Sequence, residues 1–423
     1  MQHEVSALTD VGRKRTENQD AFHTDQKLGL YVVADGMGGH AAGSVASKNA
    51  IDVFVNEVER RRAEISRFID GTVGREAVSR LLEDAVRKAG EHVFQTAQKN
   101  KEMRGMGTTL SALLLTPSRG FIAHVGDSRI YLVREKDVVQ VTEDHSLVNE
   151  LIRQGRLRPN DRQQERYSNA ITRAVGVYSD VKVDTFDFEL MTGDTFLLCS
   201  DGLSQYLRSA DEIGNLLTNF KFSELAQVAI KMANRRGGSD NSTAVFVRLN
   251  DETNQDINPN LPHRVKVLSK MPMFQHLTYK ELVEVLNISE VRTFQAGQYV
   301  FRENDLGEEM YVILAGRISV ESDDVRLATL GMGGHFGEMA ILDKGQRSAN
   351  AKADKVTEAL VIQRKSLFNL LQKDTSIAVK ILWCLTQILN RRLRSTNSAL
   401  LKASISEEAD DLSNWTHLTT RDD

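Results

Sequence analysis

Leu30-Tyr31-Val32-Val33-Ala34-Asp35-Gly36 is the stretch on which the reading of this chain turns. A short apolar run closed by aspartate and glycine reads as a buried strand ending in a turn. The layout recurs. Phe121-Ile122-Ala123-His124-Val125 runs into Gly126-Asp127-Ser128-Arg129, and Thr195-Phe196-Leu197-Leu198-Cys199-Ser200 runs into Asp201-Gly202. Asp240-Asn241 opens a strand expected from Ser242 to Leu249. Any one of these aspartates alone is an ordinary turn residue. Together they differ, because rigid strands hold carboxylates at fixed separations. Acids gathered in that way repel one another unless a cation neutralises them, and hard oxygen ligands suit Mg²⁺ or Mn²⁺.

Further segments extend the pattern: Asp10-Val11-Gly12-Arg13-Lys14-Arg15-Thr16-Glu17-Asn18-Gln19-Asp20, Asp35-Gly36-Met37-Gly38-Gly39-His40, Gly107-Thr108-Thr109, Ser200-Asp201-Gly202-Leu203 and Ser239-Asp240-Asn241-Ser242-Thr243. In this order they make residues 1–249 resemble a metal-dependent Ser/Thr protein phosphatase of the 2C type. The resemblance implies an α+β fold in which two β-sheets form a four-layer α-β-β-α sandwich, with a metal cleft at one edge.

Length and composition agree with two domains, since 423 residues exceed what one core usually organises. A net charge of −4 argues against a general nucleic-acid binder. Only Cys199 and Cys384 are present, so a disulfide framework is not expected and a reducing cytoplasm fits. Met1-Gln2-His3-Glu4-Val5 lacks the layout of a signal peptide, and no apolar run approaches the roughly 20 residues needed to span a bilayer.

Helical periodicity marks Gly43 to Arg62 and Arg75 to Lys99, the latter through Ala77, Leu81, Leu82, Ala85, Ala89 and Val93. Between Asp144 and Ala174 lies a polar insertion containing Arg153-Gln154-Gly155-Arg156-Leu157-Arg158, which resembles the family's flap beside the cleft. Residues 250–263 are almost without apolar content and read as a linker. Helical patterning resumes from Arg264 to Leu286 with a break near Met271-Pro272. Short glycine-punctuated strands follow, then an amphipathic helix from about Ser376 to Lys402, and residues 404–423 form an acidic tail.

The second domain, expected over 264–403, carries Phe294-Gln295-Ala296-Gly297-Gln298-Tyr299-Val300-Phe301, Met310 through Ile318, and Gly334-His335-Phe336-Gly337-Glu338-Met339-Ala340-Ile341-Leu342 followed by Arg347-Ser348-Ala349. A glycine turn lets backbone N–H groups approach an anion, Arg347 can fork onto two phosphate oxygens, Glu338 can accept from a ribose hydroxyl, and Ser348 can donate. These segments resemble a cyclic nucleotide-binding domain, a β-roll flanked by helices, with the site at Gly337, Glu338, Met339, Arg347, Ser348 and Ala349. Gln346 stands where many members carry proline. The Arg-Ser-Ala run is similar to the bacterial catabolite activator type, which makes cyclic AMP the first expectation and cyclic GMP the second. Trp415, or the last helix around Leu385 to Leu393, is placed to cap the base. That helix, through Leu382, Leu385, Leu389 and Leu393, has the roll, the phosphatase or a second copy as packing partner. Those activators append a DNA-binding motif after the long helix, but only about 20 residues follow Lys402 here, with Ser404 to Asp411 acidic, so a DNA-binding role is not expected.

For the first domain the resemblance implies two metal ions and a weaker third. Asp35 bridges two ions, the Gly36 carbonyl ligates one, and Asp201 and Asp240 hold the other. Asp20 acts through metal-bound water, with Gln19 where a glutamate is common, and Asp127 serves the third. Arg15 matches the phosphate-gripping arginine, and His40 is the candidate general acid. His124 and His145 read as structural. The expected function is phosphoserine and phosphothreonine hydrolysis on proteins under cyclic nucleotide control. Two alternatives stand beside it: a partner-switching phosphatase acting on anti-sigma-factor antagonists, and a nucleotide-sensing scaffold with little activity. Expected partners are a phosphoprotein and a cyclic nucleotide, without nucleic acid or membrane, and a homodimer through the last helix.

Overall fold

Leu30 to Ala34 are all fully buried, so both faces of this strand are covered, as the unbroken apolar run implies. The structure is a computed structural model that describes residues 3–39, 42–134, 137–153, 156–157, 170–207, 209, 211–250, 261–322, 325–339, 341, 345–391, 394 and 397. The chain divides into two compact units, Met1–Pro262 and His263–Asp423. The first is mixed α/β and the second is separate and β-rich.

Two antiparallel sheets build the first unit. One runs in the order Asp20–Asp25, Leu30–Met37, Leu110–Leu115, Arg119–Val125, Asp184–Glu189, with Gly107–Thr108 paired to Leu30–Met37. The other runs His3–Asp10, Ser242–Leu249, Thr195–Cys199, Arg129–Arg134, Asp137–Gln140. Strand alternation divides the contacts by face. Leu30, Val32 and Ala34 join a core with the helices Ala42–Arg60 and Arg75–Lys99, through Phe54, Val58, Leu82 and Val93. Tyr31 lies on the other face, where its hydroxyl is 2.7 Å from His3 Nδ1 of the second sheet. Phe188 and Phe196, one from each sheet, have ring centroids 5.9 Å apart. The second sheet is covered in turn by the helix Leu225–Arg235, which packs on Leu197, Cys199, Ala244 and Phe246.

Two sequence expectations need adjustment. Asp35 does not follow its strand but lies within Leu30–Met37, because Gly36 and Met37 continue pairing with Thr108 and Gly107. The helix expected from Gly43 to Arg62 is two helices, Ala42–Arg60 and Arg62–Ile69, separated at Arg61 where φ is −101° and ψ is 15°. The helix Arg75–Lys99 and the strand Ser242–Leu249 have the expected bounds. Residues 154–155 and 158–169 of the flap-like insertion, most of the linker, and the acidic tail lie outside the described residues, as do His40, Ala340, Leu342, Leu393, Lys402 and Trp415.

In the second unit the helices Leu261–Ser269 and Tyr279–Asn287 precede a sheet ordered Ser289–Phe294, Asn350–Gln363, Glu309–Ser322, Val325–Leu330. Tyr299–Phe301 pairs with Asn350–Gln363, and His335–Phe336 pairs with Glu309–Ser322. The helix Arg364–Lys373 and a further helix over 375–391 follow. Ile377, Ile381 and Leu385 of that last helix enter the core with Met310, Val312 and Leu360, whereas Leu382 and Leu389 are exposed. Lys380 reaches back to the buried Glu281, at 2.7 and 2.8 Å from its two oxygens. Glu281 also completes the capping box with Thr278 that starts the helix Tyr279–Asn287. Among the described residues no helix is long and apolar enough to cross a membrane, and Cys199 and Cys384 are buried free thiols.

Candidate active site

The two sheets bring the motif aspartates to one place from distant parts of the chain. Asp20 opens its strand and faces Asp35 across the pair. Asp201 is the first residue of the short helix Asp201–Ser204, directly after the strand Thr195–Cys199. Asp240 precedes the strand Ser242–Leu249, and Asp127 sits in the turn between Arg119–Val125 and Arg129–Arg134. Their shared electrostatics shows that they converge. Burial, together with the charges of Asp20, Asp201, Asp127 and Asp240, pushes the Asp35 carboxyl well above the usual carboxylate range. Burial, joined by the charges of Asp201 and Asp240, raises Asp20 to about 7 against the opposing hydrogen bonds from Ser200 and Thr243. Asp127 is pushed to about 7 by burial and then by Asp201. Asp201 is also raised, by burial and by Asp240.

Arg15 lies at this cluster, its Nη2 donating to Asp240 Oδ2 at 2.8 Å while over half its side chain stays exposed. The bond to Asp240 raises the pKa of the guanidinium, so it remains charged. Gly36 is packed so tightly that a Cβ would lie 2.0 Å from the Gly43 carbonyl oxygen, which explains glycine there.

Hydroxyl and amide groups whose roles could not be read from the sequence fix this arrangement. Ser200 Oγ and Thr243 Oγ1 each donate to Asp20 Oδ2 at 2.7 Å. Thr109 Oγ1 accepts the Asp35 N–H at 2.8 Å and lies 2.7 Å from Ser128 Oγ. Asn241, buried, accepts the Gln19 N–H at 2.8 Å and donates to the carbonyls of Val11 and Glu17 at 3.0 and 2.9 Å. The available signal was their place within the motif segments quoted above. The His124 and His145 rings lie 4.8 Å apart, tilted by 40°, inside the fold, and the Gly126 N–H donates to His145 Nδ1, so they brace the turn carrying Asp127.

The donor set fits a hard divalent cation. Asp20 Oδ1 is buried without a hydrogen-bond partner, and a buried carboxylate oxygen left unpaired is costly. Among the described residues no three His, Cys, Asp or Glu side chains close on one point as a ready-made cage. Carboxylates spread around a cleft suit Mg²⁺ or Mn²⁺, which keep several waters and take one or two protein carboxylates each.

The second unit presents a different group. Arg347 is only 6% exposed, its guanidinium lies 4.1 Å over the Phe301 ring, and it donates to the Gly337 carbonyl at 3.2 Å. Its Nε is buried with no hydrogen-bond partner. Burial lowers its pKa, which is the mark of a cation short of an anion. Gly307 and Gly337 make room for it, since a Cβ on either would lie 2.2 or 2.7 Å from its nitrogens. Its backbone is pinned by Arg347 N–H to Asp305 O at 2.9 Å and by Asn304 N–H to Arg347 O at 2.8 Å. A cavity of about 560 Å³ opens beside it, lined among others by Phe301, Glu309, Tyr311 and Arg364. Glu338 and Ala349 are buried nearby in sequence, while Met339 and Ser348 are exposed.

Comparison with known proteins gives this arrangement its class. The Protein phosphatase 2C family model matches residues 11–239, and the Cyclic nucleotide-binding domain model matches residues 291–374. The chain belongs to the protein phosphatase 2C family. It is a protein serine/threonine phosphatase that carries a C-terminal cyclic nucleotide-binding domain. The serine/threonine phosphatase stp of Listeria innocua is 38% identical over 245 residues, 57% of this chain and 94% of that protein. The protein phosphatase PhpP of Streptococcus pneumoniae is 37% identical over 254 residues, 59% of this chain and 98% of that protein. The crystal structure of the Mycobacterium tuberculosis serine/threonine phosphatase PstP/Ppp superposes with a TM-score of 0.52 at 32% identity, covering 59% of this chain and all of that one. The catalytic domain of PstP, solved in complex with two manganese ions, gives a TM-score of 0.50 at 32% identity over 59% of this chain and 99% of that one.

Proposed function

We propose that the first unit hydrolyses phosphoserine and phosphothreonine on proteins with the help of two divalent ions, and that cyclic nucleotide binding to the second unit sets its rate. The observation that carries the first half is the convergence of Asp20, Asp35, Asp127, Asp201 and Asp240 with Arg15, at one edge of what we read as an α-β-β-α sandwich. Asp35, Asp201 and Asp240, with the Gly36 carbonyl, would hold Mn²⁺ or Mg²⁺. Asp20 would anchor bound water, and Asp127 would serve a weaker third ion. Bound there, such ions ionise water near neutral pH and neutralise charge on the phosphoryl group. Arg15 binds the equatorial oxygens of the ester, orients the phosphorus for in-line attack and keeps its charge through Asp240. Ser200 and Thr243 hold Asp20 in one rotamer. His40 is proposed to give a proton to the departing serine or threonine oxygen.

The second half rests on Arg347, a buried guanidinium with an unpartnered Nε between two glycines. It would take the cyclic phosphate, the Gly337–Met339 turn would offer backbone N–H groups, Glu338 would accept from the ribose, and Ser348 and Ala349 would complete the site. Cyclic AMP is the first ligand to test and cyclic GMP the second. Val379, Leu382, Trp383 and Leu389 leave the last helix with an exposed apolar face that suits a second copy of the chain. Two free buried thiols favour the cytoplasm.

The test is turnover of p-nitrophenyl phosphate and a phosphothreonine peptide with Mn²⁺, with and without each cyclic nucleotide. Activity is expected to vanish in excess EDTA and in Asp35→Ala. Full turnover surviving EDTA would overturn the metal reading, and an unchanged rate at saturating nucleotide would overturn the regulatory one.

A further inference from the structure

Five chain segments carry the proposed active-site groups, and Asn241 touches or relays to four of them through its side chain or its backbone. Asn241 is 5% exposed. Its amide oxygen accepts the Gln19 N–H at 2.8 Å, and its amide nitrogen donates to Val11 O at 3.0 Å and Glu17 O at 2.9 Å. It thus grips both flanks of the loop that carries Arg15. Its backbone N–H donates to Asp240 Oδ1 at 2.9 Å. Its carbonyl oxygen sits where a Cβ on Gly202 would come within 1.8 Å, so Asp201-Gly202 is packed flush against it. The contact runs on through Gln19, whose carbonyl accepts the Gly36 N–H at 3.1 Å and Ser47 Oγ at 2.6 Å.

We infer that Asn241 is the positioning residue for Arg15 and for the segments around it. An asparagine suits the position because one planar amide must accept on one side and donate twice on the other. Aspartate would set a carboxylate oxygen against the carbonyls of Val11 and Glu17, and leucine would remove all three hydrogen bonds. The loop 11–19 is also tied to its surroundings by Arg13 N–H donating to Gly238 O at 2.7 Å, and by Asn18 Nδ2 donating to Thr9 Oγ1, itself 2.7 Å from Thr243 Oγ1. Arg15 is more than half exposed, so apart from its bond to Asp240 its place follows from the loop. A shift of about 1 Å in a substrate-orienting group can cost on the order of 100-fold in rate.

The inference rests on the proposed role of Arg15 as the phosphate-binding group. It is tested by a double-mutant cycle on the full chain with Mn²⁺, using Arg15→Ala, Asn241→Ala and both together. The readouts are kcat and KM on a phosphothreonine peptide and the inhibition constant of inorganic phosphate. Asn241→Ala is expected to lower kcat/KM by about ten- to 100-fold and to weaken phosphate inhibition alongside it. The double variant should be no worse than about threefold below Arg15→Ala alone, because the two act through one contact. Losses that multiply would overturn the inference and leave Asn241 a structural residue only. Arg15→Ala with unchanged phosphate inhibition would instead overturn the reading of Arg15. Should Asn241→Ala fail to accumulate, Asn241→Asp carries the same cycle. It keeps the size and the acceptor for the Gln19 N–H but loses both donations. The melting temperature rise on adding Mn²⁺ gives a readout independent of turnover: it should shrink in Asn241→Ala and stay at the wild-type value if the residue positions nothing.

Discussion

Asp20 and Asp127 hold their protons to about 7 because burial and neighbouring aspartates make the ionised forms costly. A cation binding there must displace those protons. Below about pH 7 proton and metal compete, so the apparent affinity for Mn²⁺ is expected to rise from about pH 6 to about pH 8 and then level off. Proton release per ion, read by calorimetry in buffers of different ionisation heat, should be larger at the acid end. The linked sign for stability is opposite. These carboxyls bind protons more tightly folded than unfolded, so the metal-free protein should lose melting temperature as pH rises from about 4 through about 7. Asp20→Asn should flatten that slope. In the second unit the corresponding residue is Arg347. Removing its guanidinium deletes a charge-assisted contact of about 1.5–3 kcal/mol, so Arg347→Ala should weaken cyclic nucleotide binding by several-fold to roughly 100-fold in calorimetry. An affinity equal to wild type would place the phosphate elsewhere.

At the scale of elements, the second unit is held at one corner by a single buried carboxylate. Glu281 caps the helix Tyr279–Asn287 and takes Lys380 from the helix over 375–391. Glu281→Ala removes both contacts and should destabilise the unit by about 2 kcal/mol, counting about 1 for the cap and a similar amount for a pair whose lysine is partly solvated. Trp383 lies in this unit on the helix over 375–391, so its fluorescence in denaturant follows the unit's melting. A midpoint unchanged from wild type would show the corner to be dispensable. Elements of this kind separate what the sequence disclosed from what it withheld. Strands such as Ser242–Leu249 and the helix Arg75–Lys99 were legible because burial imposes a period on residue type. The candidate aspartates stood out because several share a place at the end of an apolar run, although each alone is an ordinary turn residue. The extension of Leu30–Met37 past Asp35 was not, since it depends on pairing with Gly107–Thr108 from a remote part of the chain. Nor were the clamps on Asp20 by Ser200 and Thr243, separated from it by 180 and 223 residues. Hydrophobic periodicity says which face is inside, and only tertiary closure says which hydroxyl meets which carboxylate.

For the whole molecule, a sensor and a catalyst on one chain make an energetic statement. A ligand changes a rate only if it binds two conformations differently, and typical coupling is about 1–3 kcal/mol, or roughly five- to 150-fold. Saturating cyclic nucleotide is therefore expected to change phosphatase turnover within that range, with activation the favoured direction. Arg347→Ala should erase the response and leave basal turnover intact. A rate on phosphopeptide that does not move would assign the nucleotide to choice of partner instead. The last helix is the element available to transmit the change, and its burial by Ile377, Ile381 and Leu385 gives it a seat from which to shift.

The pairing of His3–Asp10 with Ser242–Leu249 has a mechanical consequence. The register joins His3 to Leu249 at one end and Asp10 to Ser242 at the other. A pull transmitted through the segment after Leu249, with His3 as the opposing anchor, would load the ladder at its first rung and open it like a zipper, one bond at a time, rather than shear all rungs together. The opening would travel toward Ser242, next to Asn241 and Asp240. Tension between the ends of this unit would thus reach the catalytic edge last, and it would arrive through the strand that holds that edge together.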